Sequence, residues 1–457
     1  MKACSALFPL MVLLLMLGAA AGNFPLPAPG NVWLLPGLSL LALAGGFLPS
    51  RLSGFGRTDP SDEPPPVANP GKLPARIWIA GGLLLGLVAL YAWNPSHDWT
   101  AGRGPVPIEH VRGLAASSFP EGTWSAFRLA LAMFAVFVLG FRLSLRQIRG
   151  LQGIAAAAAL AMALTVLVQR LEPNAHRIRE VTGIFVNENH FAVFSNLLLP
   201  TVLALASRAR FRAVRDGRPS SPAGLFLLAA ALMAAAVVLC RSRAGVAVMA
   251  LLIAAHVWTC RRTVRQYPFV SIPFSFWAKG FGWAAIAAAG GFAVRALWLE
   301  WRHVEAIGRE WAFRSGILKD ALVAWREQPV WGIGPGTFPV VFPFYQSAMF
   351  DGKTILHAHC EPIQFLVEFG AAGALVVLAA LVLSLSARRR TSVSAAADIP
   401  PFADVERRAF GFGLSACALH CLIDFPLRIP LIALLAAVWA GVWAGTRPAK
   451  AGGDRRA

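Results

Sequence analysis

The chain has 457 residues, 57% of them hydrophobic and only 14% charged, with a mean hydropathy of +0.59. Soluble domains carry about a quarter of their residues as charges, so this composition excludes a cytosolic enzyme, a disulfide-stapled secreted scaffold and a disordered chain. The formal net charge of +19 fits either a basic stripe that binds nucleic acid or lysines and arginines that mark cytoplasmic loops.

Apolar windows fall near 5–22, 31–49, 77–94, 124–141, 151–169, 190–207, 223–240, 244–259, 278–298, 362–387, 409–423 and 429–446. Most are about long enough to cross ~30 Å of hydrocarbon. Lipid offers the backbone no hydrogen-bond partners, so these windows must be helices. The expectation is an all-α polytopic membrane protein with about twelve transmembrane helices. With the N-terminus inside, 25 of the 42 lysines and arginines fall in seven short segments on one side, including the five arginines from Arg208 to Arg218. That side is the cytoplasm by the positive-inside rule, both termini face it, and no nucleic-acid partner is needed. Residues 1–22 open Met-Lys and close Ala-Ala-Ala-Gly, which also fits a cleavable signal peptide; an uncleaved first helix is the preferred reading. Residues 51–76 and 388–406 read as linkers, and the division expected is 1–150, a core over 151–446, and a tail at 447–457. The six cysteines form no C-x-x-C pair, and Cys417 and Cys421 read as packing residues.

The largest loop on the outer side is 299–361, with Arg302, His303, Arg309, Arg314, Lys319, Arg326, Lys353, His357 and His359. Cations outside run against the topological bias, which makes anion binding the functional reading and a solvated loop the bland one. Within it, Trp311, Ile317, Leu318, Ala321, Leu322 and Trp325 recur at helical spacing, so a helix is expected over 308–327, ended by Pro329 and the Gly-Ile-Gly-Pro-Gly run. No Gly-Lys-Ser/Thr follows these glycines, so they are not a nucleotide loop. Elsewhere on the outer face, Arg243 sits in a three-residue turn, where a guanidinium can grip phosphate with two hydrogen bonds. Arg241 stands two residues before it. Asn187, Asn189 and His190 open the sixth window; they suit sugar hydroxyls, although capping alone explains an asparagine there. His420 and Asp424 lie one turn apart at the outer end of the eleventh window. An ionisable pair near a membrane is often functional; a salt bridge of Asp424 with nearby Arg428 holding a tight turn is the equal alternative, and both residues are read as structural.

Five segments in order carry a resemblance: GIFVNENHFA at 183–192, RSRAG at 241–245, RSGILKDALVAW through GIGPGTF to Tyr345 over 314–345, HAHCEPIQFLVEFGAAG at 357–373 and HCLIDFPLRIP at 420–430. Together they resemble the O-antigen ligase family of membrane glycosyltransferases, which also contains polymerases and oligosaccharyltransferases. The resemblance runs from about 181 to 445. It implies transfer of a glycan from undecaprenyl pyrophosphate to an acceptor hydroxyl on the outer face of the bacterial inner membrane. The acceptor would be lipid A-core, a growing polysaccharide or a protein. The catalytic residues implied are His359, Arg243 and Arg314. Arg241, His357, Asn187, Asn189, His190 and Tyr345 would contact substrate. His359 would activate the acceptor, a task suited to imidazole near neutral pH. The outer loops hold no Asp-x-Asp pair, so arginines rather than a metal would balance the pyrophosphate, and no cofactor is expected. Cys360 departs from the family pattern of Asn, Ser or Gln after the motif histidine. A thiol is the poorer hydrogen-bond partner, which bears on the positioning of His359. The rival from another class is a transporter of small anions or glycolipids.

Overall fold

The computed structural model describes residues 73–100, 104–143, 145–171, 183–185, 187–266, 304–386 and 401–446. In chain order they form α1 (Ala75–Trp93), β1 (His97–Thr100), β2 (Gly104–Pro107), α2 (Pro120–Arg142), α3 (Leu145–Leu171), α4 (Glu188–Arg215) and α5 (Ala223–Leu239). There follow α6 (Arg243–Gln266), α7 (Val304–Glu327), α8 (Glu361–Ser386), α9 (Pro401–Cys421) and α10 (Pro430–Gly445). Helices α1, α2, α3, α4, α6 and α8 are long and apolar enough to cross a membrane, and α5 and α10 are shorter apolar helices. The protein is an all-α, multi-pass membrane protein. The windows expected near 5–22, 31–49 and 278–298 lie outside the described residues.

Local sequence accounts for the helix ends. Pro120 opens α2 at a position where no N–H is required, Glu121 lies in its first turn and Arg142 in its last, each opposing the helix dipole. Asn187 caps α4, its side chain accepting from the Asn189 N–H at 2.7 Å. Helix α9 differs from the expected eleventh window. It starts at Pro401 and its first half carries Glu406, Arg407 and Arg408, so the apolar part from Ala409 onward is only about 20 Å long. The β1–β2 pair, antiparallel with His97 opposite Pro107, was not expected. Its strands are too short to show alternation, and its support is tertiary: the Trp99 indole donates to the Ser118 carbonyl at 2.6 Å.

The chain folds as two compact units. The first comprises α1, the hairpin, α2, most of α7, α8 and α10. Here α10 lies against α2 at backbone distance. A methyl group on Gly441 would sit 2.1 Å from the Phe137 carbonyl oxygen, and one on Gly140 2.4 Å from that of Val438. Small residues permit such approach where lipid removes the hydrophobic drive for helices to associate. The segment 308–358 of this unit has its own core, in which Ile317, Ala321, Phe338, Phe342 and Phe350 are fully buried. Each such large apolar side chain contributes about 1.5–3 kcal/mol relative to exposure, so this segment is a folded element and not a solvated loop. Its helix begins at Val304, earlier than the expected 308, and ends at Glu327 as expected.

The second unit comprises α3, α4, α5, α6 and α9. Helix α4 packs against α3, α5 and α6. Val405 and Ala409 of α9 bury against Ala204, and Ala416 against Val248 and Leu252.

Candidate functional site

In the first unit the chain enters α8 through residues 355–360, and Gln364 holds that entry from within the helix. Its Oε1 accepts from the Ala358 N–H at 3.0 Å, and its Nε2 donates to Glu368 at 3.1 Å and lies 3.3 Å from His357 Nδ1. The resulting bend leaves His359 at φ 52°. A left-handed non-glycine residue costs on the order of 1 kcal/mol and persists only where its surroundings over-determine it.

The His359 ring faces the turn between α9 and α10. Its Nδ1 is 3.3 Å from Oδ1 of Asp424, whose side chain is 2% exposed against 23% for His359. The Phe425 ring meets His359 edge-on at 5.0 Å and His357 at 4.1 Å. The contact is at ion-pair distance without hydrogen-bond geometry; a carboxylate there favours the tautomer with a proton on Nδ1 and leaves Nε2 as the accepting nitrogen. Asp424 therefore faces His359, and the Asp424–Arg428 pair expected from sequence gives way to a different arrangement. Arg428 reaches Glu361 at 3.2 Å and Glu368 at 2.7 Å, both carboxylates being buried. Glu361 also accepts from the Leu427 N–H at 2.9 Å. Burial alone would lower the Arg428 guanidinium, but Glu368 and Glu361 outweigh it and hold the pKa above its ordinary value. This cluster ties the first two turns of α8 to the 424–428 turn, and so fixes His359 relative to Asp424.

Arg314 arrives at the same turn from α7. Its guanidinium pairs with Glu310 at 2.9 Å and donates to the Ile423 carbonyl, next to Asp424. The first unit thus assembles His359, His357 and Arg314 around residues 423–425. Tyr345 sits apart from them: its phenol donates to Glu327 at 2.5 Å. Burial, with the hydrogen bond to Glu327 and that residue's charge, pushes Tyr345 up to about 12.

A break in α8 underlies this end of the unit. Gly370 has φ 62°, and the Ala371 and Ala372 N–H groups donate to the Pro329 and Val330 carbonyls at 2.8 and 3.0 Å. In return, the Val367 and Glu368 carbonyls accept from Ile333 and Gly334. The glycine run therefore docks by backbone hydrogen bonds into the interrupted helix. A methyl on Gly370 would meet the Val330 oxygen at 2.2 Å.

In the second unit, the RSRAG turn joins α5 to α6. Arg241 follows the last residues of α5 at φ 68°, a closing position usually taken by glycine. Ser242 Oγ accepts from the Gly245 N–H at 3.1 Å and donates to Asn189 Oδ1 at 2.7 Å. Gly245 presses on Ala192, and its carbonyl accepts from Asn196 at 2.9 Å. Arg243 is the first residue of α6 and is half-buried, while Arg241 is exposed. Asn189 is engaged in holding this turn, Asn187 caps α4, and His190 is buried beside them in sequence. His420 lies with its Nε2 3.4 Å from the Asn196 amide nitrogen.

Sequence reasoning missed Asp424, Glu361, Glu368, Gln364 and Arg428 as positioning residues. The signal available was three carboxylates within or beside apolar windows, where an ionisable group is expensive and functional by default. A family model described as O-antigen ligase matches residues 228–395. That stretch includes Arg241, Arg243, Arg314, Tyr345, His357 and His359, while Asn187, Asn189, His190 and Asp424 fall outside it. No curated protein matches the chain.

Proposed function

We propose that this O-antigen ligase-family membrane enzyme transfers a glycan from undecaprenyl pyrophosphate to an acceptor hydroxyl at the outer face of the bacterial inner membrane, with His359 as the general base. The observation that carries this reading is the strained His359 held against buried Asp424. The acceptor hydroxyl gives its proton to His359 Nε2, and its oxygen attacks the anomeric carbon of the donor sugar. The bond from that carbon to the phosphate oxygen breaks, and the electron pair leaves with the pyrophosphate. Asp424 steadies the imidazolium as it forms. Arg314 supplies positive charge beside the histidine, and phosphate binding in the second unit is assigned to Arg243, with Arg241 beside it. His357 and Tyr345 in the first unit, and Asn187, Asn189 and His190 in the second, are assigned to the surroundings of the substrate.

Transport would need an unwound span that lines a cavity. Among the described residues the break at Gly370 is filled by backbone from 329–334, which favours the enzyme.

The test is incubation of the purified protein with an undecaprenyl-pyrophosphate glycan, with lipid A-core and separately without acceptor. Capped core indicates a ligase; a ladder of repeats without core indicates a polymerase. His359→Ala and Arg243→Ala should each abolish either product at unchanged membrane levels. Full activity in both variants would sink this mechanism.

A further inference from the structure

A second concentration of positive charge lies at the other end of α5 from Arg241, about 25 Å away along a helix of 17 residues. There the second unit encloses an open cavity of about 500 Å³. Arg149 of α3, Arg208 and Arg212 of α4, and Arg218 beyond it line one side, and Leu205 and Phe226 contribute apolar wall. Only part of this charge is balanced. Arg208 pairs with Glu406 at 3.0 Å, and Arg218 with Asp216 at 3.6 Å. Among the described residues neither Arg149 nor Arg212 has an ion-pair partner, and the Arg149 Nε is buried with no hydrogen bond. Arg149 also stands within electrostatic reach of Arg208 and Arg212, with Glu406, already paired to Arg208, as the opposing charge. Four guanidinium groups against two carboxylates leave two positive charges around one cavity. Keeping like charges together in this way is unfavourable until an anion enters.

We propose that this cavity binds a phosphate-diester anion, and that its source is the headgroup of an anionic membrane lipid. Guanidinium forks match phosphate oxygens two at a time. Phe226 of α5 lines the cavity, and Leu225, Leu227 and Leu228 on other faces of the same helix are exposed, a surface suited to surrounding acyl chains. The sequence places the same arginines on the cytoplasmic side, where basic pockets between helices take anionic lipids. The proposal does not depend on the transfer chemistry assigned to His359.

The experiment uses the full chain in non-ionic detergent, mixed in turn with cardiolipin, phosphatidylglycerol or phosphatidylcholine and observed by native mass spectrometry. A parallel arm measures the shift in thermal unfolding with inorganic phosphate. The anionic lipids should be retained over phosphatidylcholine, and Arg149→Gln with Arg212→Gln should weaken that retention roughly 30-fold. Lysine at both positions should restore most of it. Arg261→Gln with Arg262→Gln, which removes the same charge from α6, should leave it unchanged. If the double glutamine variant fails to fold, the wild-type adducts still decide: they should fall away as salt is raised. Equal retention of all three lipids, adducts indifferent to salt, or full retention by a folded glutamine variant would each overturn the proposal. A phosphate-induced shift that depends on Arg149 and Arg212, without lipid adducts, would keep the anion site and overturn the lipid source.

Discussion

The entry to α8 and the α5–α6 turn use the same backbone device with different support. Each holds one non-glycine residue in the left-handed region, His359 in one and Arg241 in the other. Behind His359 stand buried charges: Asp424 at its Nδ1, and Arg428 between Glu361 and Glu368. Behind Arg241 stand neutral hydrogen bonds from Ser242, Asn189 and Asn196 around Gly245. The proposed proton-transfer group must be held to within fractions of an ångström of its partners, and the buried charge pairs supply that rigidity. Arg241, which is exposed and for which a phosphate contact is proposed, needs only to be presented, and capped helix ends suffice.

The contrast can be broken most directly through the reaction. His359→Ala should lower transfer by roughly 10²–10⁴-fold. Asp424→Asn should lose a large part of the same factor while the protein stays folded, measured as product formed per mole of purified enzyme. Transfer by Asp424→Asn at the wild-type rate would remove the carboxylate from the mechanism. Next in size, Arg428→Met leaves Glu361 and Glu368 buried without their cation, a loss of roughly 3–5 kcal/mol. Thermal unfolding in detergent should show a large drop, which Glu368→Gln in the same chain partly reverses. At the helix break, Gly370→Ala combines a positive φ with a 2.2 Å clash against Val330 and should cost about 2 kcal/mol or more. Gly82→Ala in α1 meets open space and should be neutral or slightly stabilising.

Arg241→Gly carries the opposite sign. It relieves the left-handed strain and should stabilise the protein by about 1 kcal/mol while transfer declines. A destabilised Arg241→Gly would mean that the side chain supports the turn and does not merely ride on it. The smallest effect concerns pH. Tyr345 is raised from 10 to about 12, so its contribution to stability is complete below pH 10 and is lost as pH rises toward 12. Tyr345→Phe should therefore leave the pH profile of transfer unchanged below pH 10 and remove the phenol that titrates near 12 from an alkaline absorbance titration.

Much of the fold was legible because a membrane span is a one-dimensional signal: a run of apolar residues of set length must become a helix. That is why α1 through α6, α8 and α10 lie where the hydropathy put them. Helix α9 was legible as a helix but not in extent, because Glu406, Arg407 and Arg408 lie within it and hide its start from an apolar window. The break at Gly370 was not legible either, since EFGAAGALVV reads as continuous apolar helix. It exists because Val330 and its neighbours, about forty residues earlier, offer alternative backbone partners.

The sequence by itself determined the class of the protein and the course of most of the described helices. These follow from local composition and spacing. Which charge faces which was decided only by tertiary structure. Asp424 turns to His359, Arg428 to Glu361 and Glu368, and Arg314 to the Ile423 carbonyl. These partners are separated by some sixty to over a hundred residues. An arginine four residues from an aspartate looks like its mate in sequence, but burial sets the pairing. Two carboxylates enclosed in α8 cost more to leave unpaired than one at the turn, and the Arg428 guanidinium goes to them. That choice leaves Asp424 to hold the histidine.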